Sequence, residues 1–113
     1  MGYTMGARPH DMINNMGGSI GYSPPVATGA ALACPDRRTI CMTGDGSAMY
    51  TIQALWTQAR EQLPVTTVIF ANNSYAILKA EYQNMGAGEA PGPQALAMID
   101  IDRPTIDWVA MAK

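Results

Sequence analysis

Two short apolar runs, separated by a stretch with helical periodicity, organise the middle of the chain. Residues 38–43 and 65–71 are rich in β-branched side chains, which predicts two strands, the second of them buried. Between them, apolar side chains recur at helical spacing over residues 47–62, which predicts one helix covering a sheet. Its apolar stripe comprises Met49, Ile52, Leu55, Trp56 and Ala59. Strand, helix and strand in this order predict a βαβ unit with parallel strands.

The flanking segments extend this pattern. Residues 24–34 combine a proline near the first turn, small side chains and a following Pro35, which predicts a helix. Further helices are predicted over 76–82 and from 105 to 113, the last with Ile106, Val109 and Ala110 on one face. Residues 17–21 form a glycine-rich turn, and 86–93 are predicted to be a loop. The fold class that follows is α/β, a three-layer αβα domain whose mostly parallel sheet has helices on both faces.

The size of this sheet and the end of the chain both indicate an incomplete domain. Residues 1–113 are enough for one domain, but only two or three strands are clear. The helix predicted at the end of the chain has no glycine cap. We therefore expect either a fragment of a longer multi-domain enzyme or one subunit of a split enzyme.

Composition excludes several classes of function. Seven basic and nine acidic residues give a formal charge of −2 without a basic stripe, which argues against a nucleic-acid partner. No apolar run approaches the roughly 20 residues that span a bilayer, and no secretory signal is visible. Cys34 and Cys41 lie in apolar context without metal-ligand spacing, so we expect both to be buried thiols in a reducing cytoplasm.

Polar residues follow each predicted strand. Gly44, Asp45 and Gly46 end the first apolar run, and the pair Asn72-Asn73 ends the second. The carboxyl ends of parallel strands share one edge of the sheet, so Asp45 and Asn73 should lie close together. Their oxygens suit Mg²⁺, and an adjacent helix start suits a phosphate. The pattern predicts a metal–diphosphate site.

Each motif alone has a simpler interpretation. Gly44 to Gly46 could be a β-turn without a ligand, and Asn73 could cap a helix. The combination favours the site, because an apolar strand precedes each motif and a helix of fitting length lies between them. In the first turn, the glycines would permit close backbone approach, and Ser47 and Ala48 would present free N–H groups. The chain contains neither a P-loop segment nor a dinucleotide-binding fingerprint after a strand.

Gly-Asp-Gly followed by Asn-Asn is similar to the diphosphate–Mg²⁺ signature of thiamine diphosphate-dependent enzymes. Nearly the whole chain resembles the cofactor-binding domain of acetolactate synthase-like and benzoylformate decarboxylase-like proteins. The motifs are specific to this superfamily and much less so to one reaction. The resemblance rests on Pro25 and on residues 18–22, 29–31, 35–37, 44–48, 54–59 and 72–78.

The resemblance implies roles for individual residues. Asp45 and Asn73 would bind Mg²⁺ through side-chain oxygens, and Tyr75 through its backbone carbonyl. The carbonyl of Gly18 would accept a hydrogen bond from the aminopyrimidine ring. Ile20 would hold the cofactor in a bent conformation, although ordinary core packing is an equal alternative. The diphosphate would be held by the turn comprising Gly44, Gly46, Ser47 and Ala48.

The resemblance also implies what this segment lacks. In the family, a glutamate on a separate pyrimidine-binding domain activates the cofactor, commonly across a dimer interface. Nothing here matches that domain, and Glu61 and Glu81 are expected at the surface. We expect no catalytic residue in this segment. The implied partners are a pyrimidine-binding domain or subunit, a homodimer or homotetramer, and a 2-oxo acid substrate.

Three functions follow from these expectations. The first is cofactor binding within a carbon–carbon lyase or transferase. This segment alone would not catalyse the reaction of that enzyme. The second is a subunit of a split thiamine diphosphate enzyme, and the third is a non-catalytic binding module. His10 could transfer protons, but the resemblance gives it no role.

Overall fold

The computed structural model describes residues 5–15, 17–86, 88 and 90–113. Strands β1 and β2 pair in parallel, with Thr39 opposite Val65 and Gly44 opposite Phe70. The predicted α/β class and parallel strand pair are confirmed. The elements in chain order are α1 (Ser23–Ala33), β1 (Thr39–Gly44), α2 (Asp45–Met49), α3 (Ala54–Arg60), β2 (Val65–Phe70), α4 (Ala76–Asn84), α5 (Pro93–Ile99) and α6 (Trp108–Met111).

Helix α1 covers one face of this sheet. It packs against both strands, and Ala27 and Ala31 are buried, as are Cys41 and Thr43 of β1. Alanines let a helix approach a sheet closely, which explains the small-residue composition of α1. Within the part of the chain that the structure describes, the other face is exposed. That face carries Ile40, Met42, Val68 and Phe70. The prediction has three layers, a sheet between two layers of helices. The described residues thus supply the sheet and one of the two helical layers.

The prediction of one continuous helix over residues 47–62 is wrong. The structure has two short helices, α2 and α3, joined by a tight stretch with hydrogen bonds from Thr51 N to Ala48 O and from Ala54 N to Thr51 O. The Thr51 hydroxyl also donates to the carbonyl oxygen of Gly21. Aromatic and β-branched side chains at 50–52 weaken the helix locally, and this tertiary hydrogen bond fixes the interruption.

The predicted apolar stripe of this region is also wrong. Trp56 is 64% exposed, and Met49 and Ala59 are exposed as well. Helix α3 packs against α1 rather than covering the sheet, and its buried residue is polar. The Gln58 amide donates to Thr28 Oγ1 at 3.0 Å and to Pro24 O at 3.2 Å. A hydrogen-bonded glutamine therefore occupies the contact expected for a hydrophobic residue.

The remaining helices agree with the sequence in part. Helix α1 is confirmed, and α4 is confirmed with two further residues at its end. Helix α5 was not predicted, because its first residue, Pro93, was assigned to the loop over 86–93; residues 87 and 89 of that loop lie outside the described residues. Helix α6 is shorter than predicted. Thr105 bonds back to Asp102 in a turn, and the Asp107 carboxylate caps α6 by accepting from Ala110 N at 2.9 Å.

The two cysteines differ in environment. Cys41 is buried as predicted, and burial raises the pKa of its thiol. Cys34 is exposed, so that part of the prediction is wrong; it follows the end of α1 and precedes the turn into β1. No helix of the described ranges is long and apolar enough to cross a membrane.

The buried Gln58 contact generates a stability prediction. Gln58→Ala removes both hydrogen bonds and leaves space between α1 and α3, so we expect the free energy of unfolding to fall by about 1–3 kcal/mol. Equilibrium urea unfolding measures the change. Gln83→Ala, at an exposed site in α4, is the matched control and should change stability by less than about 0.5 kcal/mol. Equal effects of the two variants would contradict the proposed importance of this contact.

Candidate functional site

The Asp45 carboxylate joins the ends of the two strands. It directly follows β1 and is only 2% exposed. Its Oδ1 accepts a hydrogen bond from Gly46 N at 2.8 Å, and its Oδ2 accepts one from Asn73 N at 2.6 Å. Asp45 and Asn73 therefore meet at the carboxyl edge of the sheet, as the topology predicts.

Asn73 has a backbone conformation that differs from a helix cap. Its φ is 56°, in the left-handed region that asparagine adopts more readily than most residues. Helix α4 begins only at Ala76, with Tyr75 at the capping position, so Asn73 does not cap it. Among the described residues, the side-chain amide of Asn73 has no hydrogen-bond partner, whereas its backbone N–H and carbonyl are both used. The amide oxygen is thus available to a ligand.

A distant segment holds the Asn73 loop in place. Ile101 N donates to Asn73 O, and Tyr75 N donates to Ile99 O, both at 2.9 Å. Asp100 Oδ1 accepts from Ser74 Oγ at 3.0 Å and pairs with Lys79 Nζ at 2.6 Å. Lys79 and then Ser74 lower the pKa of the Asp100 carboxyl. Sequence reasoning missed this support, because no local motif connects residues 99–101 with the asparagine pair.

The Tyr75 ring lies against Gly46. A Cβ placed on Gly46 would overlap Tyr75 Cε1, which no real side chain tolerates. Gly46 has no positive φ, so the constraint here is space rather than backbone conformation. Burial raises the pKa of the Tyr75 phenol, and neighbouring Tyr50 and the Asp45 carboxylate add to this shift.

The glycine-rich turn is attached to the same region through Gly21. Gly21 N donates to Ser47 Oγ at 2.9 Å, and Thr51 Oγ1 donates to Gly21 O at 2.5 Å. Gly18 has a φ of 71°, and Ile20 is 51% exposed. Ile20 is therefore not packed into a core formed by the described residues, and the role that the resemblance gives it stays a prediction.

The other candidate residues lie around this centre. Gly44 is the last residue of β1, while Ala48 is buried in α2. Helix α2 begins at Asp45 and has five residues, so Ser47 and Ala48 belong to its first turn. Within an α-helix that begins at Asp45, the N–H of Ser47 has no intrahelical partner, whereas the N–H of Ala48 is the first that can donate within the helix, to the carbonyl of the capping residue Gly44.

The remaining titratable candidates lie apart from this centre. The His10 ring is exposed and hydrogen-bonds with the carbonyl of Arg8 at 2.8 Å. No hydrogen bond of the described residues joins His10 to Asp45 or Asn73. Glu61 and Glu81 are exposed, as expected.

The donor set determines which metal the site could hold. Within the described residues, no group of three or more His, Cys, Asp or Glu side chains could hold a metal ion. No cationic side chain of those residues pairs with Asp45 either. A buried carboxylate beside neutral amide and carbonyl oxygens suits a hard divalent cation that keeps part of its shell for other ligands.

The family model described as "Thiamine pyrophosphate enzyme, C-terminal TPP binding domain" matches residues 2–113; thiamine pyrophosphate is a synonym of thiamine diphosphate. The chain belongs to this family. It is 56% identical over 110 residues to "Putative acetolactate synthase large subunit IlvX" of Mycobacterium tuberculosis, covering 97% of this chain and 21% of that protein. A shorter match, 51% identical over 63 residues, is to the alpha-keto-acid decarboxylase of Mycobacterium avium; it covers 56% of this chain and 11% of that protein.

Solved structures agree with this assignment. The thiamine diphosphate-dependent 4-hydroxybenzoylformate decarboxylase of Rhodococcus jostii RHA1 superposes with a TM-score of 0.68 at 41% identity. The match covers 82% of this chain and 16% of that one. Benzoylformate decarboxylase of Polynucleobacter necessarius gives a TM-score of 0.69 at 30% identity, over 84% of this chain and 17% of the other. The chain therefore spans about a fifth or less of the relatives that it matches.

The contact between Gly46 and Tyr75 generates a coupling prediction. Gly46→Ala should lower the free energy of unfolding by about 1–3 kcal/mol, because the new methyl group overlaps the Tyr75 ring. In a Tyr75→Ala background, the same substitution should cost much less. A double-mutant cycle based on urea unfolding isolates this pair. Additive effects of the two substitutions would show that the ring does not restrict residue 46.

Proposed function

We propose that this chain binds the diphosphate group of thiamine diphosphate through Mg²⁺. It would do so as part of an acetolactate synthase-like or 2-oxo acid decarboxylase-like enzyme. The observation that carries the proposal is the hydrogen bond between Asp45 Oδ2 and Asn73 N, because it holds the backbone of Asn73 beside a buried carboxylate. Family membership and the names of the relatives support the same function.

The metal would be held by Asp45, Asn73 and Tyr75. Both Asp45 oxygens accept backbone N–H groups, but each keeps a further lone pair for a cation. The Tyr75 carbonyl accepts from Leu78 N at 2.9 Å and likewise keeps a second lone pair. Burying a carboxylate charge is costly unless it is compensated, and a divalent cation would compensate it.

The diphosphate would be held by the turn from Gly44 to Ala48. The Ser47 hydroxyl accepts from Gly21 N, so its own proton is free to be donated to a phosphate oxygen. The Gly46 N–H already donates to Asp45, so the N–H of Ser47 would be the backbone donor to the diphosphate, and Ala48 would line the turn beside it. Gly46 would contribute by leaving room for Tyr75.

The organic part of the cofactor would lie beside the glycine-rich turn. Ile20 is exposed enough to support it, and the carbonyl of Gly18 would accept from the aminopyrimidine. When bound, thiamine diphosphate would supply the carbon nucleophile that attacks a 2-oxo acid. The residues of this chain would bind and orient the cofactor. An activating glutamate would come from a pyrimidine-binding domain or subunit within a cytoplasmic homodimer or homotetramer.

Calorimetry with Mg²⁺ and thiamine diphosphate tests the proposal on the full natural polypeptide. Asp45→Asn keeps the size of the side chain and one acceptor oxygen but removes the charge, so affinity should fall at least about tenfold. Asp36→Asn, at an exposed turn position before β1, is the charge-matched control and should bind as the wild type does. Chelation of Mg²⁺ should remove the difference between wild type and Asp45→Asn. Unchanged affinity of Asp45→Asn would remove this residue from the metal site.

The same preparation separates the alternatives. Turnover of a 2-oxo acid that appears only after a second chain is added would favour a split enzyme. No cofactor binding, even beside a pyrimidine-binding domain, would favour a non-catalytic module.

A further inference from the structure

Both backbone polar groups of Gly21 are bound by side chains that lie far away in the sequence. Ser47 Oγ accepts from its N–H, and Thr51 Oγ1 donates to its carbonyl oxygen. A Cβ on Gly21 would be 2.6 Å from Tyr50 Cβ, and its φ is 82°. The backbone is thus pressed against residues 47–51 and bound there from two sides. We call Gly21, Ser47 and Thr51 the glycine clamp.

The other side-chain hydrogen bonds in and beside the glycine-rich turn join residues within 13–22. Asn15 Nδ2 donates to Ser19 O, and Tyr22 Oη donates to Ile13 O. Gly17 and Gly18 have φ values of 112° and 71°, and neither would bring a Cβ within 4 Å of another atom. We call the turn from Gly44 to Ala48 the diphosphate turn. Among the hydrogen bonds of the described residues, those of the glycine clamp are therefore the ones that link the glycine-rich turn to the diphosphate turn.

Thr51 lies where the predicted long helix is interrupted. Its backbone continues the tight turn between α2 and α3, and its hydroxyl is directed to Gly21 rather than to its own helix. The interruption lets Thr51 contact the glycine-rich turn, while Ser47, four positions earlier, accepts a hydrogen bond from Gly21 N. The two hydroxyls differ in function, because Ser47 keeps a proton for a ligand and Thr51 has already donated its own.

We propose that Thr51 is a positioning residue that acts through Gly21. The glycine clamp fixes the distance between the diphosphate turn and the turn that carries Gly18 and Ile20. A ligand with a diphosphate at one end and an organic ring at the other would need both turns in register. The Thr51 hydroxyl donates to Gly21 O and would contact neither end of such a ligand. This inference rests on the proposed cofactor function and adds to it the residue that aligns the two halves of the site.

Two probes separate this role from simple stabilisation. Inorganic pyrophosphate with Mg²⁺ uses only the diphosphate turn, whereas thiamine diphosphate with Mg²⁺ uses both turns. In the full natural polypeptide, Thr51→Val removes the hydroxyl at constant shape. We expect its thiamine diphosphate affinity to fall about tenfold and its pyrophosphate affinity to change less than about twofold. Calorimetry measures both.

Three further variants make the test specific. Thr51→Ser retains the hydroxyl and should restore thiamine diphosphate affinity to within about threefold of wild type. Thr51→Ala removes the hydroxyl without burying a methyl group in its place, and should show the same selective loss even if Thr51→Val does not fold. Thr57→Val, a neighbouring half-buried threonine of α3, should leave both affinities unchanged.

Several outcomes would overturn the inference. Equal losses for both probes would mean that Thr51 only stabilises the fold. Wild-type affinity for both probes in Thr51→Val and Thr51→Ala would mean that the hydroxyl is not needed. Failure of the proposed function has a different signature, because the wild type itself would then bind neither probe.

Discussion

The rest of the candidate site depends on one buried carboxylate. Asp45 is placed by the end of β1, and its two oxygens bind the N–H of its own turn and the N–H of Asn73 beyond β2. These hydrogen bonds hold two loops together that the chain separates by a helical crossover. They satisfy the hydrogen-bonding needs of the carboxylate but leave its charge without a cationic side chain among the described residues. The same carboxylate is thus a structural joint and, in the proposed function, one of the ligands of the cation.

Two further sets of hydrogen bonds support the segments that Asp45 joins. The segment 99–101 binds the backbone of Asn73 and Tyr75, and the glycine clamp binds the glycine-rich turn to residues 47–51. Both supports consist of hydrogen bonds within the chain. A site built in this way spends little of its binding free energy on ordering loops, which favours affinity for a ligand that spans both turns.

The sequence predicts the joint better than it predicts its supports. The two β-branched runs identify the strands, and parallel topology then brings Asp45 to Asn73 without further information. Helical periodicity indicates that one side of residues 47–62 is apolar, but it cannot show which neighbour covers that side. Here α3 packs on α1 through Gln58, so Trp56 remains exposed. The break at Thr51 arises from a hydrogen bond to a residue 30 positions earlier, which no local pattern contains.

The helix α5 shows a different reason for a missed prediction. Gly92 and Pro93 resemble a loop, yet they are also the residues that precede and open a helix, and the alanines after them favour that second interpretation. Because the sequence did not predict α5, it also did not predict one support of the candidate site. Without α5, nothing placed Ile99, Asp100 and Ile101 near the asparagine pair, although these residues fix its backbone.

Two titratable side chains, those of Asp45 and Tyr75, lie at the candidate site. Asp45 is committed to two backbone N–H groups. Burial, Tyr50 and the Asp45 carboxylate all raise the pKa of Tyr75 above its ordinary value, so its phenol stays neutral at physiological pH. A neutral phenol and a hydrogen-bonded carboxylate suit an anchor for a charged cofactor. This supports the proposal that the residue which activates the cofactor belongs to another domain or subunit, and that residues 1–113 determine where the cofactor is held.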